Sequence, residues 1–264
     1  MIIHDQHVHS YYSFDSEQNI EEYLNKAKQI GLSYFVLTDH CDLNYLDKVK
    51  DLFFSLEKQI DELTLLQKKF KDIKLLHGIE IGYKPTEIGR INKILLSHSF
   101  DLVNFSLHEA DQIDYYFPEE FKKCGIENTL RHYFDKELDA ITNFDNFDVL
   151  CHLDYAFKTA YLADNNLKIS DSEEQLSKIM KVIIQKEKAL EINVKVQSVL
   201  PIEHTAYILN LYKQLGGNYL TLSSDAHTLI DFRRDFDKYI TLIKKCGFTH
   251  LTYFIKRYKY LLKL

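Results

Sequence analysis

Short apolar runs alternate with longer amphipathic segments along the whole chain. Seven of these runs have the length and the β-branched or aromatic content of buried strands. They cover residues 2–8, 34–37, 73–81, 102–107, 147–150, 190–194 and 219–222. The pattern therefore predicts seven strands, each followed by a segment long enough to return the chain to the same side of a sheet.

Between the runs, apolar residues recur at three- and four-residue spacing, which is the period of an amphipathic helix. This spacing predicts helices over residues 20–30, 45–70, 86–96, 127–143, 172–188, 203–215 and 234–246. Gly31 and Gly216 directly follow two of them, at the position where glycine commonly ends a helix. The basic, aromatic segment 253–264 has the apolar spacing of one more packed helix, which we favour over membrane contact.

Alternating strands and helices require a parallel sheet with right-handed crossovers, either open or closed into a barrel. Neither G-x-x-x-x-G-K-[ST] nor G-x-G-x-x-G follows the first run, so a nucleotide-binding open sheet loses its main support. No linker rich in proline, glycine or serine interrupts the chain. We therefore expect one domain over residues 1–264.

Charge and cysteine content narrow the class of protein. The net charge of -6 argues against a surface that coats nucleic acid, because phosphate backbones are bound by concentrated lysine and arginine. The four cysteines form no C-x-x-C motif, which fits a reducing cytoplasm. The N-terminus has no basic segment followed by an apolar one, and no run is long enough to span a bilayer. We expect a complete cytosolic protein that begins with its first strand.

Residues able to bind metal occur at the ends of six of the seven predicted strands. These residues are His7, His9, Asp39, His40, Glu80, His108, His152, Asp154, Asp225 and His227. The carboxyl ends of parallel strands form the active-site edge of α/β proteins. Residues two apart on a strand point to the same side, so His7 and His9 can reach one ion, and Asp225 and His227 repeat this spacing.

Other candidate ligands lack this arrangement. His4 is out of phase with His7 and His9. His77 and Glu80 have a helical spacing but belong to a strand, which places them on opposite faces. Cys41 and Cys151 adjoin presumed ligands and are expected to pack in the core. The remaining histidines lie within elements or at their borders without a partner in phase, and we interpret them as structural or surface residues: His77, His98, His132, His204 and His250.

The ordered motifs H-x-H, T-D-H, G-I-E, S-L-H, C-H-x-D and S-D-A-H, spread over residues 7–227, resemble those of the polymerase-and-histidinol-phosphatase (PHP) superfamily, in its histidinol-phosphatase branch. The resemblance implies a distorted TIM-like (β/α)7 barrel that encloses two to three divalent metal ions. By the same resemblance, His7, His9, Glu80 and Asp225 hold one ion. Glu80 then bridges to a second ion, bound by His108 and His152.

A third ion would take His40, His227 and Asp15, where many members of the family carry histidine. A carboxylate at this position favours Mn²⁺ or Fe, whereas the imidazole-rich remainder also suits Zn²⁺. The alternative role for Asp15 is an N-cap for the helix that begins near residue 20.

The implied activity is hydrolysis of a small phosphate monoester, with L-histidinol phosphate of histidine biosynthesis as the first candidate. The hypothesis is that metal ions activate a bridging hydroxide that attacks phosphorus, so Glu80, Asp225 and His227 would serve catalysis. Lys158, Arg233 and Arg234 are candidates to bind phosphate, and Asp42 to accept the ammonium group of the substrate. Residues 109–121 depart from the family pattern, which leaves the substrate open.

Three alternatives remain. The same site could hydrolyse a sugar phosphate, a nucleotide or a phosphotyrosine. The protein could instead be an inactive barrel that only binds metal, although all nine ligand positions hold ligand residues. A metal-dependent amidohydrolase also begins with H-x-H, but the third strand here offers Glu80 and no bridging lysine.

Overall fold

The computed structural model describes residues 4–48 and 50–264. Its helices are α1 Ile20–Gln29, α2 Leu56–Lys69, α3 Ile88–Ser97, α4 Pro118–Cys124, α5 Ile126–Asn143, α6 Tyr155–Ala163, α7 Glu173–Gln185, α8 Val194–Gln197, α9 Ile202–Gln214 and α10 Phe236–Lys245. Its strands are β1 Tyr34–Leu37, β2 His40–Asp42, β3 Leu52–Phe53, β4 Lys74–Gly82, β5 Leu102–Ser106, β6 Glu109–Ala110, β7 Ile113–Asp114, β8 Val149–Leu150, β9 Ala189–Asn193, β10 Leu220–Ser223, β11 His250–Ile255 and β12 Tyr258–Lys263. Short 3-10 turns cover Tyr45–Asp47, Pro85–Glu87 and Ile169–Ser172.

The first helix shows how the sequence specifies these elements. The side chain of Asn19 accepts a hydrogen bond from the Glu21 N–H and caps the N-terminus of α1. Ile20, Tyr23 and Leu24 are buried on one face, at the spacing of an amphipathic helix. Gly31 follows with a φ of 73°, a left-handed conformation that glycine adopts without steric cost.

A parallel sheet runs in the order β10, β9, β8, β5, β4. Two consecutive strands lie beside β4: β1 pairs with its first half and β2 with its second half, both in parallel. The short strand β3 extends the sheet antiparallel to β2. The largest hydrophobic cluster joins the sheet to the helices that pack on it. The carboxyl ends of the parallel strands therefore meet at one edge.

Residues 4–10 connect the two ends of this sheet. The Thr38 N–H donates to the Val8 carbonyl at 3.0 Å, and the His9 N–H donates to the Ala226 carbonyl at 2.9 Å. Val8 and Ala226 form a parallel bridge. Seven strand positions thus surround the interior, as expected for a distorted TIM-like barrel. Residues 2 and 3 of the predicted first strand lie outside the described residues.

Six of the seven predicted strands and six of the predicted helices are present, with shifts of a few residues at their ends. The helix predicted over 45–70 is wrong in its first part. There the chain forms a 3-10 turn and β3, with positive φ angles at Asn44, Leu46 and Asp47, and α2 begins only after Ser55. Ser55 accepts a hydrogen bond from the Lys58 N–H, which fixes the start of the helix.

The helix predicted over 253–264 is also wrong, because this segment forms the antiparallel hairpin β11–β12. Phe254 packs into a cluster at the amino ends of the strands, against Leu102, Val149 and Ala189 among others. The Arg257 guanidinium binds the carboxylate of Asp148. The hairpin therefore covers the end of the barrel opposite the active-site edge. Among the described helices, none combines the length and apolar composition needed to cross a bilayer.

We predict that Phe254→Ala lowers the free energy of unfolding by about 3–5 kcal/mol, because it leaves a cavity in the hydrophobic cluster between the hairpin and the amino ends of the strands. Tyr258→Ala, on the exposed strand β12, serves as the control and should change it by less than about 0.5 kcal/mol. Urea denaturation of both variants at equal metal content measures the difference. Equal stability of the two variants would show that the hairpin does not hold the barrel closed.

Candidate metal centre

The predicted ligand residues converge at the carboxyl edge of the barrel. Their side chains come from residues 4–10, from β2 and β4, and from the turns after β5, β8 and β10. The ligand atoms lie within 4.8 Å of one another in groups such as His7, His9 and Glu80, or His40, Glu80 and His108. All of these residues are buried. The structure thus brings the residues predicted at the strand ends together in one cluster.

Glu80 lies at the middle of the cluster and is 1% exposed. Its Oε2 is 3.3 Å from His7 Nε2, 3.4 Å from His9 Nε2 and 2.9 Å from His40 Nδ1. Its Oε1 is 3.0 Å from His152 Nε2 and 3.4 Å from His108 Nε2. The two oxygens therefore divide the imidazoles into two groups, which is the geometry that a bridging carboxylate requires.

Hydrogen bonds at the far ring nitrogen orient three of the imidazoles. The Nδ1 atoms of His7, His9 and His108 lie 2.7 Å from Glu191, 2.9 Å from Ser13 and 2.8 Å from Asp42. Each bond leaves Nε2 directed at the centre, as in metal-binding histidines. The Nε2 atoms of His7 and His9, Nδ1 of His40 and Oε2 of Glu80 are buried and make no hydrogen bond of suitable angle, although Oε2 lies 2.9 Å from His40 Nδ1. Atoms of this kind are costly in a protein interior, and divalent ions would satisfy them.

A third group lies nearer to solvent. Asp15 Oδ2 is 3.0 Å from His227 Nε2, and Asp15 Oδ1 is 3.6 Å from His40 Nε2. The alternative role of Asp15 as a helix cap is wrong, because Asn19 caps α1. Asp225 faces the same space, with Oδ1 3.2 Å from His9 Nε2. The residues named for a third ion are therefore adjacent.

Charge in the pocket shifts the protonation of these groups. Burial alone would raise the pKa of Glu80, but His7, His40 and His108 hold it well below its usual range. Burial opposes protonation of His108, yet the carboxylates of Asp42 and Glu80 raise its pKa to about 10. The carboxylates likewise raise the pKa of His7 and His40 well above the usual range, whereas burial and the charges of His227 and His40 hold the pKa of His9 well below it. Divalent ions would compete with the protons on His7, His40 and His108.

Two of the residues in the cluster have an unusual backbone. His152 has a φ of 25° and Asp225 a φ of 51°, a region that residues with a side chain rarely adopt. Asp225 Oδ2 accepts from Asn193 at 3.1 Å, and the His152 N–H donates to Glu191 at 2.9 Å. These hydrogen bonds hold strained backbone in place, as is common at functional sites.

Asp42 does not have the substrate-binding position that the sequence suggested. It is 4% exposed, its Oδ1 binds His108, and its Oδ2 is 3.4 Å from His40 Nδ1. Burial raises its pKa, but His108 and His40 lower it to about 2. The carboxylate is therefore ionised and orients two of the clustered imidazoles. Asp42 does not line the cavity that opens over the cluster.

Arg233 and Arg234 do not reach the cluster. The guanidinium of Arg233 donates to the His4 carbonyl at 2.5 Å and lies over the Phe236 ring. Arg234 binds Asp231 and the hydroxyl of Ser198. Their proposed phosphate role finds no support in these positions, because neither arginine lines the cavity that opens over the cluster.

A cavity of about 620 Å³ opens over the cluster, and two lysines line it. The ammonium of Lys158 lies 4.6 Å from the centroid of the Tyr155 ring. Burial, followed by the charge of Lys195, lowers the pKa of Lys158 to about 8. Lys195 Nζ is 2.8 Å from His227 Nδ1 and 3.9 Å from Asp225 Oδ1. Lys158 was a sequence candidate, whereas Lys195, on α8, was missed.

One wall of the cavity is formed by the hairpin β6–β7 and the loop before β3. Asp114 lies at the cavity, 6% exposed, and accepts from the Tyr45 hydroxyl at 2.7 Å. The buried Lys84 binds Glu109 of the hairpin at 2.5 Å and Asp47 of the loop at 2.9 Å. Exposed aromatic side chains line the mouth: Phe14, Tyr116 and Phe117. This wall contains the segment whose sequence departs from the family.

Glu191 is a further buried group that the sequence analysis missed. It binds His7 Nδ1, the backbone of His152, the amide of Asn193 and the hydroxyl of Ser223. It lies two residues before Asn193 on β9, the one predicted strand for which no ligand-type residue was named. The two-residue spacing that identified His7 and His9 could have identified Glu191 and Asn193 as a pair on one face of this strand.

The histidines expected to be structural do not join the cluster. His77 binds Gln59, His204 binds Asp154, and His132 bridges Tyr115 and Asp111. Cys151 is buried with a ligand atom within 4.8 Å of those of His7 and Glu191, but these two are already hydrogen-bonded to each other.

Comparisons with known proteins agree with this geometry. The model of the PHP domain family matches residues 5–195. The histidinol-phosphatase of Lactococcus lactis subsp. lactis (strain IL1403) is 34% identical over 95% of this chain and 93% of its own. A probable histidinol-phosphatase of Clostridium acetobutylicum is 27% identical over 93% of this chain and 94% of its own.

Structural similarity covers the same extent. The crystal structure of histidinol phosphate phosphatase from Lactococcus lactis subsp. lactis Il1403, complexed with zinc, L-histidinol and phosphate, has a TM-score of 0.87 and 31% identity. It covers 97% of this chain and 98% of that chain. The barrel, the ligand cluster and these matches together place the chain in the PHP domain family.

Proposed function

We propose that this chain is a metal-dependent histidinol-phosphatase, which hydrolyses L-histidinol phosphate to L-histidinol and phosphate. The observation that carries the proposal is the set of unpaired ligand atoms around Glu80 at the base of an open cavity. Two similar proteins of nearly equal length are named histidinol-phosphatase, one of them probable. A similar structure holds zinc, L-histidinol and phosphate.

The ligand assignment follows the distances. Glu80 would bridge one ion held by His7, His9 and Asp225 and a second held by His108 and His152. Asp15, His40 and His227 would hold a third. Mixed imidazole and carboxylate ligands suit Zn²⁺, Mn²⁺ or Fe. Such ions, when bound, neutralise phosphoryl charge and lower the pKa of coordinated water.

The two lysines at the cavity supply positive charge for the phosphate group. Lys158 and Lys195 lie on the neighbouring helices α6 and α8, and the charge of Lys195 acts on Lys158. With a pKa of about 8, Lys158 is mostly protonated at neutral pH. Both ammonium groups can donate hydrogen bonds to phosphate oxygens that the protein's metal ions leave free. They replace the arginines suggested by the sequence.

The neighbouring wall, whose Tyr116 ring lies 5.4 Å from the ammonium of Lys158, suits the organic part of the substrate. The carboxylate of Asp114 accepts from Tyr45 and from the Tyr116 N–H, and its remaining lone pairs can accept an ammonium proton. Tyr116 and Phe117 present aromatic rings at the mouth, where an imidazole can stack. Histidinol phosphate carries a phosphate, an ammonium and an imidazole, which match these three parts of the cavity.

We place the enzyme in the cytoplasm. All four cysteines are free, as is usual where thiols stay reduced. Its partner would be a small phosphorylated metabolite rather than nucleic acid or a membrane.

The proposal predicts substrate preference. With Zn²⁺ or Mn²⁺ bound, kcat/KM for L-histidinol phosphate should exceed that for p-nitrophenyl phosphate, phosphotyrosine and glucose 6-phosphate by at least about tenfold, because one hydrogen bond to a charged group contributes about 1.5–3 kcal/mol. Phosphate release measures the rates. Equal rates on all four compounds would contradict the proposed substrate. If the metal-loaded protein released no phosphate from any of them, an inactive metal-binding barrel would be favoured.

Glu80→Gln should remove metal and activity together. The amide cannot bridge two cations, so we expect metal content to fall by half or more and kcat to fall at least about a hundredfold. Elemental analysis and phosphate release give the two values, and circular dichroism checks the fold. Glu174→Gln, on the exposed face of α7, is the control and should match the parent protein. Full turnover by Glu80→Gln would exclude the bridging role.

Gly82→Ala tests the support that Asp42 gives to His108. A Cβ at Gly82 would lie 1.9 Å from Asp42 Oδ1, so the carboxylate must turn away from His108. Loss of such a support typically costs about 10–100-fold in metal affinity. Gly89→Ala is the matched control, because nothing lies within 4 Å of its Cβ. Competition with a chelator measures affinity; parent-like affinity in Gly82→Ala would contradict the role of Asp42.

A further inference from the structure

We propose that Asp154 is a positioning residue that sets the spacing of Lys158 and Lys195 across the phosphate end of the cavity. The inference rests on the proposed function only in assigning phosphate to these lysines. Asp154 occupies the last position of the C-H-x-D motif, where the sequence offered a ligand-type residue to which no role was assigned. In the described structure it belongs to none of the groups that could hold a metal.

Asp154 precedes α6 but does not cap it. Aspartate at this position commonly accepts a hydrogen bond from an N–H of the first turn, and here its side chain makes no such bond. Its Oδ2 instead lies 2.7 Å from Gln197 Nε2 and 2.6 Å from His204 Nε2. The residue is 2% exposed, so these bonds are made in the protein interior. The Asp154 carboxylate therefore binds side chains of two other helices and leaves the N-terminus of α6 uncapped.

Those two helices include the one that carries Lys195. Gln197 is the last residue of the four-residue helix α8, and its Oε1 accepts from the Thr205 hydroxyl at 2.6 Å. His204 and Thr205 belong to α9. A helix of one turn has little stability of its own, so its orientation depends on such tertiary bonds. Asp154 thus fixes α8 against both α6 and α9.

The same residue is one turn from the other lysine. The Lys158 N–H donates to the Asp154 carbonyl at 3.0 Å. The backbone of Asp154 therefore positions Lys158, and its carboxylate positions the helix of Lys195. Two ammonium groups near one cavity repel each other, and without an anion between them the helices would tend to separate. The buried carboxylate thus sets the relative position of the two helices that carry the lysines.

Two variants test this link. Asp154→Asn removes the charge with little change in volume, and Gln197→Met removes the amide that joins α8 to Asp154. The matched control is Asp148→Asn, because Asp148 is also buried but binds Arg257 at the opposite end of the barrel. The readouts are binding of inorganic phosphate to metal-loaded protein by calorimetry, KM and kcat for p-nitrophenyl phosphate, metal content and thermal stability.

We expect the Kd of phosphate and the KM to rise about tenfold in Asp154→Asn and Gln197→Met, since a misplacement of about 1 Å can cost up to a hundredfold. Metal content should match the parent, and kcat should stay within about threefold. Asp148→Asn should lose stability but keep the parent Kd and KM.

The inference would be overturned if both variants kept the parent affinity for phosphate, or if Asp148→Asn lost as much affinity as they do. It would also be overturned if lower metal content accounted for the lost affinity. It would also fail if the metal-loaded parent bound no phosphate. If the parent binds phosphate and hydrolyses p-nitrophenyl phosphate but not L-histidinol phosphate, the proposed substrate fails while this test still applies.

Discussion

The organisation of this protein depends on one electrostatic constraint: carboxylates are buried at the carboxyl edge of the barrel and require positive charge. Glu80, Glu191, Asp42 and Asp225 are all less than a tenth exposed. An isolated buried carboxylate costs several kcal/mol unless cations and hydrogen bonds compensate it. Imidazoles supply part of that compensation, and divalent ions at the unpaired atoms would supply the rest.

This constraint explains why the surrounding groups are so densely connected. Glu191 binds His7, the backbone of His152 and the hydroxyl of Ser223, so one carboxylate joins residues from three strand ends. Asp42 orients His108, and the close approach of Gly82 leaves room for it. His7 and His108 are therefore held in orientation by these carboxylates, which lowers the entropic cost of metal binding.

The ligand cluster could be predicted from the sequence because it depends on local properties. Two-residue spacing and the position after a strand define which side chains meet, and both can be recognised without tertiary information. The predicted phosphate-binding arginines failed because the path after His227 depends on positive φ angles at Arg233 and Asp235, which the residue types do not indicate. Lys195 was missed because α8 is one turn long and leaves no periodic signal.

The two helix errors have a different cause. The apolar spacing of residues 253–264 fits a helix, yet Phe254 is buried at the open amino end of the barrel, where a hairpin can cover the strands. In the loop before β3, Asp47 binds Lys84 and the Tyr45 hydroxyl donates to Asp114, and both partners are distant in sequence. Tertiary contacts thus override local propensity in both places.

The metal cluster and the cavity wall place different demands on sequence. The cluster requires particular ligand atoms at strand ends, since a change of one atom alters the charge around Glu80. The wall of hairpin and loop presents Asp114 and its aromatic neighbours to the cavity, and Lys84 joins its two parts through Glu109 and Asp47. Substrate choice can therefore change on this wall while the ligand positions stay fixed. The segment 109–121, which the sequence analysis expected to depart from the family pattern, contributes Asp114, Tyr116 and Phe117 to this wall and none of the assigned ligands.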